Sequence, residues 1–254
     1  MTGASNFDLL VIAPGHPEAW DGELQTYKTP YGTTRVRLRP LGALRAAWVA
    51  AGESPFAAIY AAKAAFAARV IELVPVVACN RLLEPGDLLL PDDLVDRTRH
   101  PRYTFFAVKG YGFLAQHEPF CPVLRGALLA AGQAYTRRVF ARGVYLAAEE
   151  PSAIEAEALW DADVAGSGVV PASFLARELE LCYTPLCVVN ELPTLTHSPA
   201  PVAMGEGSRL PFADVLADAL RSLPAERVCA CATAMEQYRA RGDIGPDWQT
   251  WVAV

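Results

Sequence analysis

Cys79, Asn80 and Arg81 set a thiol, a carboxamide and a guanidinium side by side after an apolar, β-branched run over residues 73–78. Such a run reads as a strand, and in open α/β sheets ligands collect at loops beyond the carboxyl ends of strands. Cys79 and Asn80 are therefore the first candidates for ligand contact. A thiol becomes a strong nucleophile when nearby groups lower its pKa. A buried small residue is nevertheless the preferred reading for Cys79. Asp92-Asp93 offers two carboxylates for acid/base work, but a turn leading into a short helix explains them better. Gly166-Ser167-Gly168 lacks the G-x-S-x-G spacing of a nucleophile elbow and reads as a flexible turn. The histidines at 16, 100, 117 and 197 show no paired ligand spacing, and no CxxC pair occurs. Cys229 and Cys231, taken to lie on one helix, would face different sides. Neither metal, disulfide nor cofactor is expected, and no GxxxxGK[ST] phosphate loop is present.

These groups need elements to hold them. Residues 9–13 (LLVIA) are continuously apolar and read as a buried strand that ends at Pro14-Gly15-His16-Pro17. An anion cradle needs converging N–H groups; here one glycine stands near two prolines that lack an N–H. His16 offers a cation there, although a polar loop residue is the simpler reading. Residues 34–39 alternate polar and apolar, a half-exposed strand with Arg35, Arg37 and Arg39 on its solvated face. Ser54 as N-cap and Pro55 at the first helical position start an alanine-rich helix running to 68. Glu84-Pro85-Gly86-Asp87 carries the signature of a type II turn. A helix at 121–135, strands at 138–148 and 163–168, and a core strand at 181–189 ending in Asn190-Glu191 follow. Residues 192–210 read as a loop, 212–223 as an amphipathic helix, and 224–240 as another helix. Trp248 and Trp251 anchor the tail.

The chain has 254 residues, 52% hydrophobic and 20% charged, with a net charge of −6. That suits one domain over 1–254 with an ample core. The negative charge gives no support to nucleic-acid binding, and no apolar run is long enough for a membrane span. No signal peptide is evident, and six scattered cysteines fit reduced thiols in a cytoplasm.

Several stretches resemble the nucleoside phosphorylase superfamily, nearest its methylthioadenosine and methylthioinosine branch. They are Pro85-Gly86-Asp87 with Asp96-Arg97-Thr98 and Thr104-Phe105-Phe106, then Glu118-Pro119-Phe120-Cys121-Pro122, then Gly143-Val144-Tyr145 with Glu149-Glu150-Pro151, and Val170-Pro171 with Leu175-Ala176-Arg177-Glu178-Leu179. The likeness implies an α/β fold: three layers, α/β/α, around a central mixed sheet. It implies a purine nucleoside or a 5′-modified relative as ligand, N-glycosidic cleavage with phosphate as attacking group, and a homo-oligomer, usually a trimer.

By position, the likeness makes Asn190 the residue that hydrogen-bonds the departing base, with Glu191 beside it. Cys79, Asn80, Glu149, Gly166 and Ser167 fall where the family contacts ribose and base. Phe113 stands where the branch places a histidine reaching a neighbouring subunit's site, with His117 four residues on. Gly15, His16 and Arg39 occupy the phosphate-gripping positions. There the family's glycine-rich loop, Arg-His pair and threonine are altered. Each lost charge-assisted donor removes roughly 1.5–3 kcal/mol, so phosphate binding is expected to be weak or absent. The alternative is a diverged, non-phosphorolytic member that binds a nucleoside-like ligand, acts as a hydrolase or lyase, or serves as a structural subunit.

Overall fold

The structure, a computed structural model, describes residues 5–15, 21–106, 114, 117–151, 162–192, 211–224 and 226–252. Strand β1 (Leu9–Ala13) is apolar throughout because both of its faces are covered, and all five residues are buried. It pairs in parallel with β4 (Leu44–Ala50) on one side and β5 (Arg69–Ala78) on the other. The hairpin of β2 (Glu23–Thr29) and β3 (Gly32–Leu41) adds to the outer edge of β4. In β3 the expected alternation holds: Val36 and Leu38 are buried, while Arg35 is exposed and Arg37 and Arg39 are half-buried.

The far edge of β5 carries β11 (Cys182–Glu191), parallel along almost its whole length. β6 (Leu88–Leu89) and β8 (Val139–Phe140) extend the sheet beyond β11. With β11 on that edge, the other edge of β5 serves two strands in turn. β1 pairs with Arg69 to Glu72, and further along β10 (Val164–Gly166) pairs antiparallel with Val77 and Ala78. β9 (Val144–Ala147) and β7 (Asp93–Asp96) continue outward from β10. β1 and β10 thus run toward each other along one edge of the same strand.

Helices cover both faces, as the α/β/α reading requires. α1 (Pro55–Ala64) and α3 (Ala172–Glu178) pack with Ile12, Val49 and Val70. α2 (Pro122–Tyr135) and α4 (Phe212–Ser222) pack on the opposite face with Val11, Trp48 and Ile71. α5 (Glu236–Arg241) closes the C-terminal segment, stopped at Gly242 by a left-handed φ of 78°. Ser54 caps α1 by accepting from the Ala57 N–H at 3.4 Å. Gly86 takes φ 95°, and the Asp87 N–H closes the turn on the Glu84 carbonyl at 3.0 Å.

Three expectations are corrected. Asp92-Asp93 leads not into a helix but into β7, because Leu94 and Val95 find Tyr145 and Leu146 on β9. The Asp92 carboxylate holds the turn to that strand, accepting from the Gly143 N–H at 2.9 Å and pairing with Arg142. The strand expected over 138–148 is split in two at residues 141–143. The helix expected over 224–240 is an extended stretch, one 3-10 turn at Ala230–Thr233, and α5. Cys229 therefore has extended backbone, φ −95° and ψ 155°, and the helical geometry that kept it apart from Cys231 does not apply. The helix expected over 154–160 and nearly all of the loop over 192–210 lie outside the described residues.

Candidate active site

Where β10 approaches the end of β1, a cavity of about 380 Å³ opens. Its size falls in the range of small-molecule sites, roughly 300–1,000 Å³. The floor follows from strand register: Ile12 stands opposite Val49 on one side and Glu72 on the other, so the three side chains share a face. Pro55, Phe56 and Ala58 at the start of α1 form one wall. The loop His100 to Arg102 forms a second, and the turn from Ser167 into α3 a third.

Glu72 is the charged group in the floor, and it is 4% exposed. Its carboxylate accepts from the Tyr183 hydroxyl and from the Val169 N–H at 3.0 Å. Burial pushes its pKa above the ordinary carboxylate range, against the pull of those two hydrogen bonds. Val169, a β-branched residue, is held at φ 77°, a conformation costing on the order of 1–3 kcal/mol. The hydrogen bond to Glu72 is part of what holds it there. A Cβ on Gly168 would overlap the Glu72 carboxylate, so the third wall approaches as closely as glycine permits.

The His100 loop is built from the Asp96-Arg97-Thr98 stretch. Asp96 accepts from the Thr98 N–H and hydroxyl at 2.8 and 2.6 Å. The Tyr103 hydroxyl donates to the Thr98 carbonyl at 2.8 Å and accepts from the His100 N–H at 2.9 Å. Glu149 accepts from the Arg99 N–H at 3.2 Å. His100 Nε2 is buried and has no hydrogen-bond partner among the described residues, in a loop that lines the cavity. A polar ligand atom would satisfy it. Arg102 donates to the carbonyls of Thr104 and Phe105, and its guanidinium lies over Tyr31 and Phe56 at 5.2 and 5.0 Å. Glu178 fastens the same loop to α3 by accepting from the Thr104 hydroxyl and the Phe105 N–H. Burial pushes Glu178 up to about 7.

The sequence-derived candidates divide. Ser167 lines the cavity. Gly166 serves packing, since a Cβ there would strike the Tyr145 hydroxyl. Glu149 is exposed and acts on the His100 loop, not on the cavity. Asn80 is spent on structure, donating to the Asp163 carboxylate at 2.8 Å and accepting from the Leu82 N–H at 3.0 Å. Burial, reinforced by the charge of Asp163, pushes the Cys79 thiol up to about 11, which suits the inert reading. Gly15 takes φ 115° just beyond β1, and His117 is exposed. His16 and Phe113 lie outside the described residues.

Asn190 is the extra residue of a β-bulge: Val189 pairs with Val76 and Glu191 with Val77. Bulges re-aim side chains and recur beside active sites. Asn190 sits five residues along β11 from Pro185, the partner of Glu72, or about 16 Å at ~3.3 Å per residue. It stands beyond the cavity, not in its lining.

Arg39 lies on the face of β3 that the strand's alternation assigns it, together with Arg35 and Arg37. Its guanidinium lies over the Trp48 ring at 5.3 Å, and Trp48 belongs to the α2/α4 face. Alternation along β3 sends Arg39 to the face opposite the cavity. The cation in the cavity lining is Arg102, and the Glu53 carboxylate in that lining pairs with Arg35 at 3.7 Å.

A family model described as the phosphorylase superfamily matches residues 27–223. The chain belongs to the phosphorylase superfamily. Among curated relatives of this superfamily member, S-methyl-5′-thioadenosine phosphorylase of Thermofilum pendens is 31% identical over 190 residues, 70% of this chain and 72% of the relative. 6-Oxopurine nucleoside phosphorylase of Pyrococcus furiosus is 30% identical over 240 residues, 84% of this chain and 90% of the relative. The fold matches that of methylthioadenosine phosphorylase from Schistosoma mansoni solved with tubercidin. The TM-score is 0.78 at 17% identity, covering 92% of this chain and 97% of that one.

Glu72 and His100 were not picked out by the sequence reading. For Glu72 a signal existed, a single charge inside the apolar run Val70-Ile71-Glu72-Leu73-Val74, where a buried polar residue is the informative exception. For His100 there was none, because its importance arises from the loop that buries it.

Proposed function

We propose that the cavity over Ile12, Val49 and Glu72 receives a purine nucleoside or a 5′-modified relative, and that the chain cleaves its N-glycosidic bond. The observation that carries this is the cavity itself, at the meeting of β1 and β10, in a member of the phosphorylase superfamily whose relatives are named for purine nucleosides and methylthioadenosine. Catalysis in such a site is positioning plus electrostatics: the sugar develops positive charge and the departing base negative charge. The Glu72 carboxylate suits the first need; Asn190, beyond the lining, is not placed to serve a base held over Glu72, and the buried His100 Nε2 in the lining loop is the candidate for the second. Ser167 and His100 supply polar contacts to sugar or base. The chain acts as a homo-oligomer, with the trimer of the resemblance as the expected state, and in the cytoplasm. Among the described residues no helix is long and apolar enough to cross a membrane.

Two observations favour a second reading, in which cleavage or binding proceeds without phosphate. Glu72 already occupies the Val169 N–H, and Arg39 faces the wrong side of the sheet.

The test is incubation with methylthioadenosine, methylthioinosine, adenosine and inosine, with and without phosphate, following base release and the melting temperature. Release that requires phosphate removes the second reading. Neither release nor a ligand-induced rise in melting temperature for any of the four removes the first. Light scattering that returns a monomer removes the oligomer.

A further inference from the structure

Four cysteines from three separate parts of the chain converge on one point. Cys121 is the N-cap of α2, Cys182 opens β11, and Cys229 and Cys231 flank Ala230 at the 3-10 turn. Their four sulfurs all lie within 4.8 Å of one another. From the positions of these side chains we propose that Cys121, Cys182, Cys229 and Cys231 form a tetrathiolate site for one zinc ion.

The dimensions suit the ion. Zinc takes four thiolates tetrahedrally at about 2.3 Å, which sets neighbouring sulfurs roughly 3.8 Å apart. The Cys182 and Cys229 sulfurs are 3.3 Å apart, well short of a disulfide bond, which needs about 2.05 Å. A small inward or outward adjustment of each sulfur completes the tetrahedron.

Two of the ligands are fixed before any ion arrives. The Cys121 N–H donates to the Tyr183 carbonyl at 2.9 Å, and the Cys182 N–H to the Ala68 carbonyl at 3.0 Å. Both side chains are buried, at the junction of a 14-residue helix and the core of the sheet. Cys229 and Cys231 are half-buried and give the ion its way in. Thiolate charge is also catered for. Cys121 sits at the positive end of α2, where a helix dipole favours an anion.

The site has work to do. The segment from 226 to 252 contributes only short helices, yet it reaches the aromatic group beside the cavity. Trp248 packs on Tyr60 of α1 at 5.3 Å, and the Tyr31 hydroxyl donates to the Val252 carbonyl at 3.1 Å. Tyr31 in turn touches Phe56, which lines the cavity. Zinc would staple this segment to α2 and β11, adding binding free energy to folding free energy. Sequence spacing hides the site because 61 residues separate Cys121 from Cys182, and 47 separate Cys182 from Cys229, by subtraction of their numbers.

The experiment takes full-length protein from zinc-supplemented cells, purified without chelator, and measures bound metals by plasma mass spectrometry beside a free-thiol count. One zinc per chain is expected, released together with four titratable thiols by a mercurial reagent. Cobalt substitution should give the sulfur-to-cobalt charge-transfer band and intense visible bands of a tetrahedral tetrathiolate. The double variant Cys229→Ser/Cys231→Ser should lose the metal, while Cys187→Ala, outside the cluster, should keep it. Metal-free protein with these thiols free, a disulfide among the four found by non-reducing mass spectrometry, or full zinc occupancy in the double variant would each overturn the proposal. Zinc content is read independently of nucleoside cleavage, so it stands or falls apart from the proposed activity.

Discussion

Replacing Glu72 with alanine strips two buried donors of their acceptor, the Tyr183 hydroxyl and the Val169 N–H. Each orphaned buried donor costs about 1–3 kcal/mol, so the pair should cost about 2–6 kcal/mol. For a chain of this size each kcal/mol lowers the melting temperature by about 2–4 °C, so a fall of about 4–24 °C is expected. Glu72→Gln keeps the shape and one acceptor oxygen for the Val169 N–H, while its NH2 can donate to the Tyr183 hydroxyl, so it should fall much less. Thermal unfolding followed by circular dichroism measures all of these. Tyr183→Phe placed on Glu72→Ala should recover part of the loss, because it removes one of the two stranded donors; a double-mutant cycle isolates that coupling. If Glu72→Ala melts within about 2 °C of the parent, or if the two changes are simply additive, the carboxylate does not hold this corner of the cavity and the reasoning fails.

Glu178 carries a second expectation. Its pKa rises from 4.5 to about 7 on folding, chiefly through burial. The folded state therefore binds its proton more tightly, and stability should fall by about 3 kcal/mol as pH climbs from about 4.5 to about 7, then level off. Denaturant titrations across that window should show the slope, and Glu178→Gln should shrink it; an unchanged slope counts against the assignment. Ser54→Ala removes the cap on α1 and should cost about 1 kcal/mol by the same measurement, since the Ala57 N–H loses its side-chain acceptor. Val49→Phe projects a ring into the cavity from its floor and should abolish any nucleoside-induced rise in melting temperature while the chain stays folded; a preserved rise would place the ligand elsewhere.

Local physics was legible in the chain alone. The run at 9–13 gave a strand with the same bounds in three dimensions, because five buried apolar residues in a row fit a sheet covered on both faces. Ser54-Pro55 marked the start of α1, and Pro85-Gly86 marked the turn where Gly86 takes its positive φ. Short-range signals of this kind act within a turn or two of chain and need no partner. Where a distant partner decides, neighbours in the chain carry no such signal. Asp93 to Asp96 became a strand because β9 was there to receive it, and the C-terminal segment broke into short pieces that seat Cys229 and Cys231 beside Cys121.

The candidate site belongs to this second kind. Ile12, Val49 and Glu72 share a face only because three strands from distant parts of the chain align in one register. The gap they floor exists only because β1 and β10 take successive stretches of the same edge of β5. Arg39 shows the converse, a suitable charge sent to the wrong side of the sheet by a single step of strand alternation. Residue types and turn chemistry are properties of neighbours in sequence, whereas a pocket is a property of register and crossover, and those come into being only when the sheet closes.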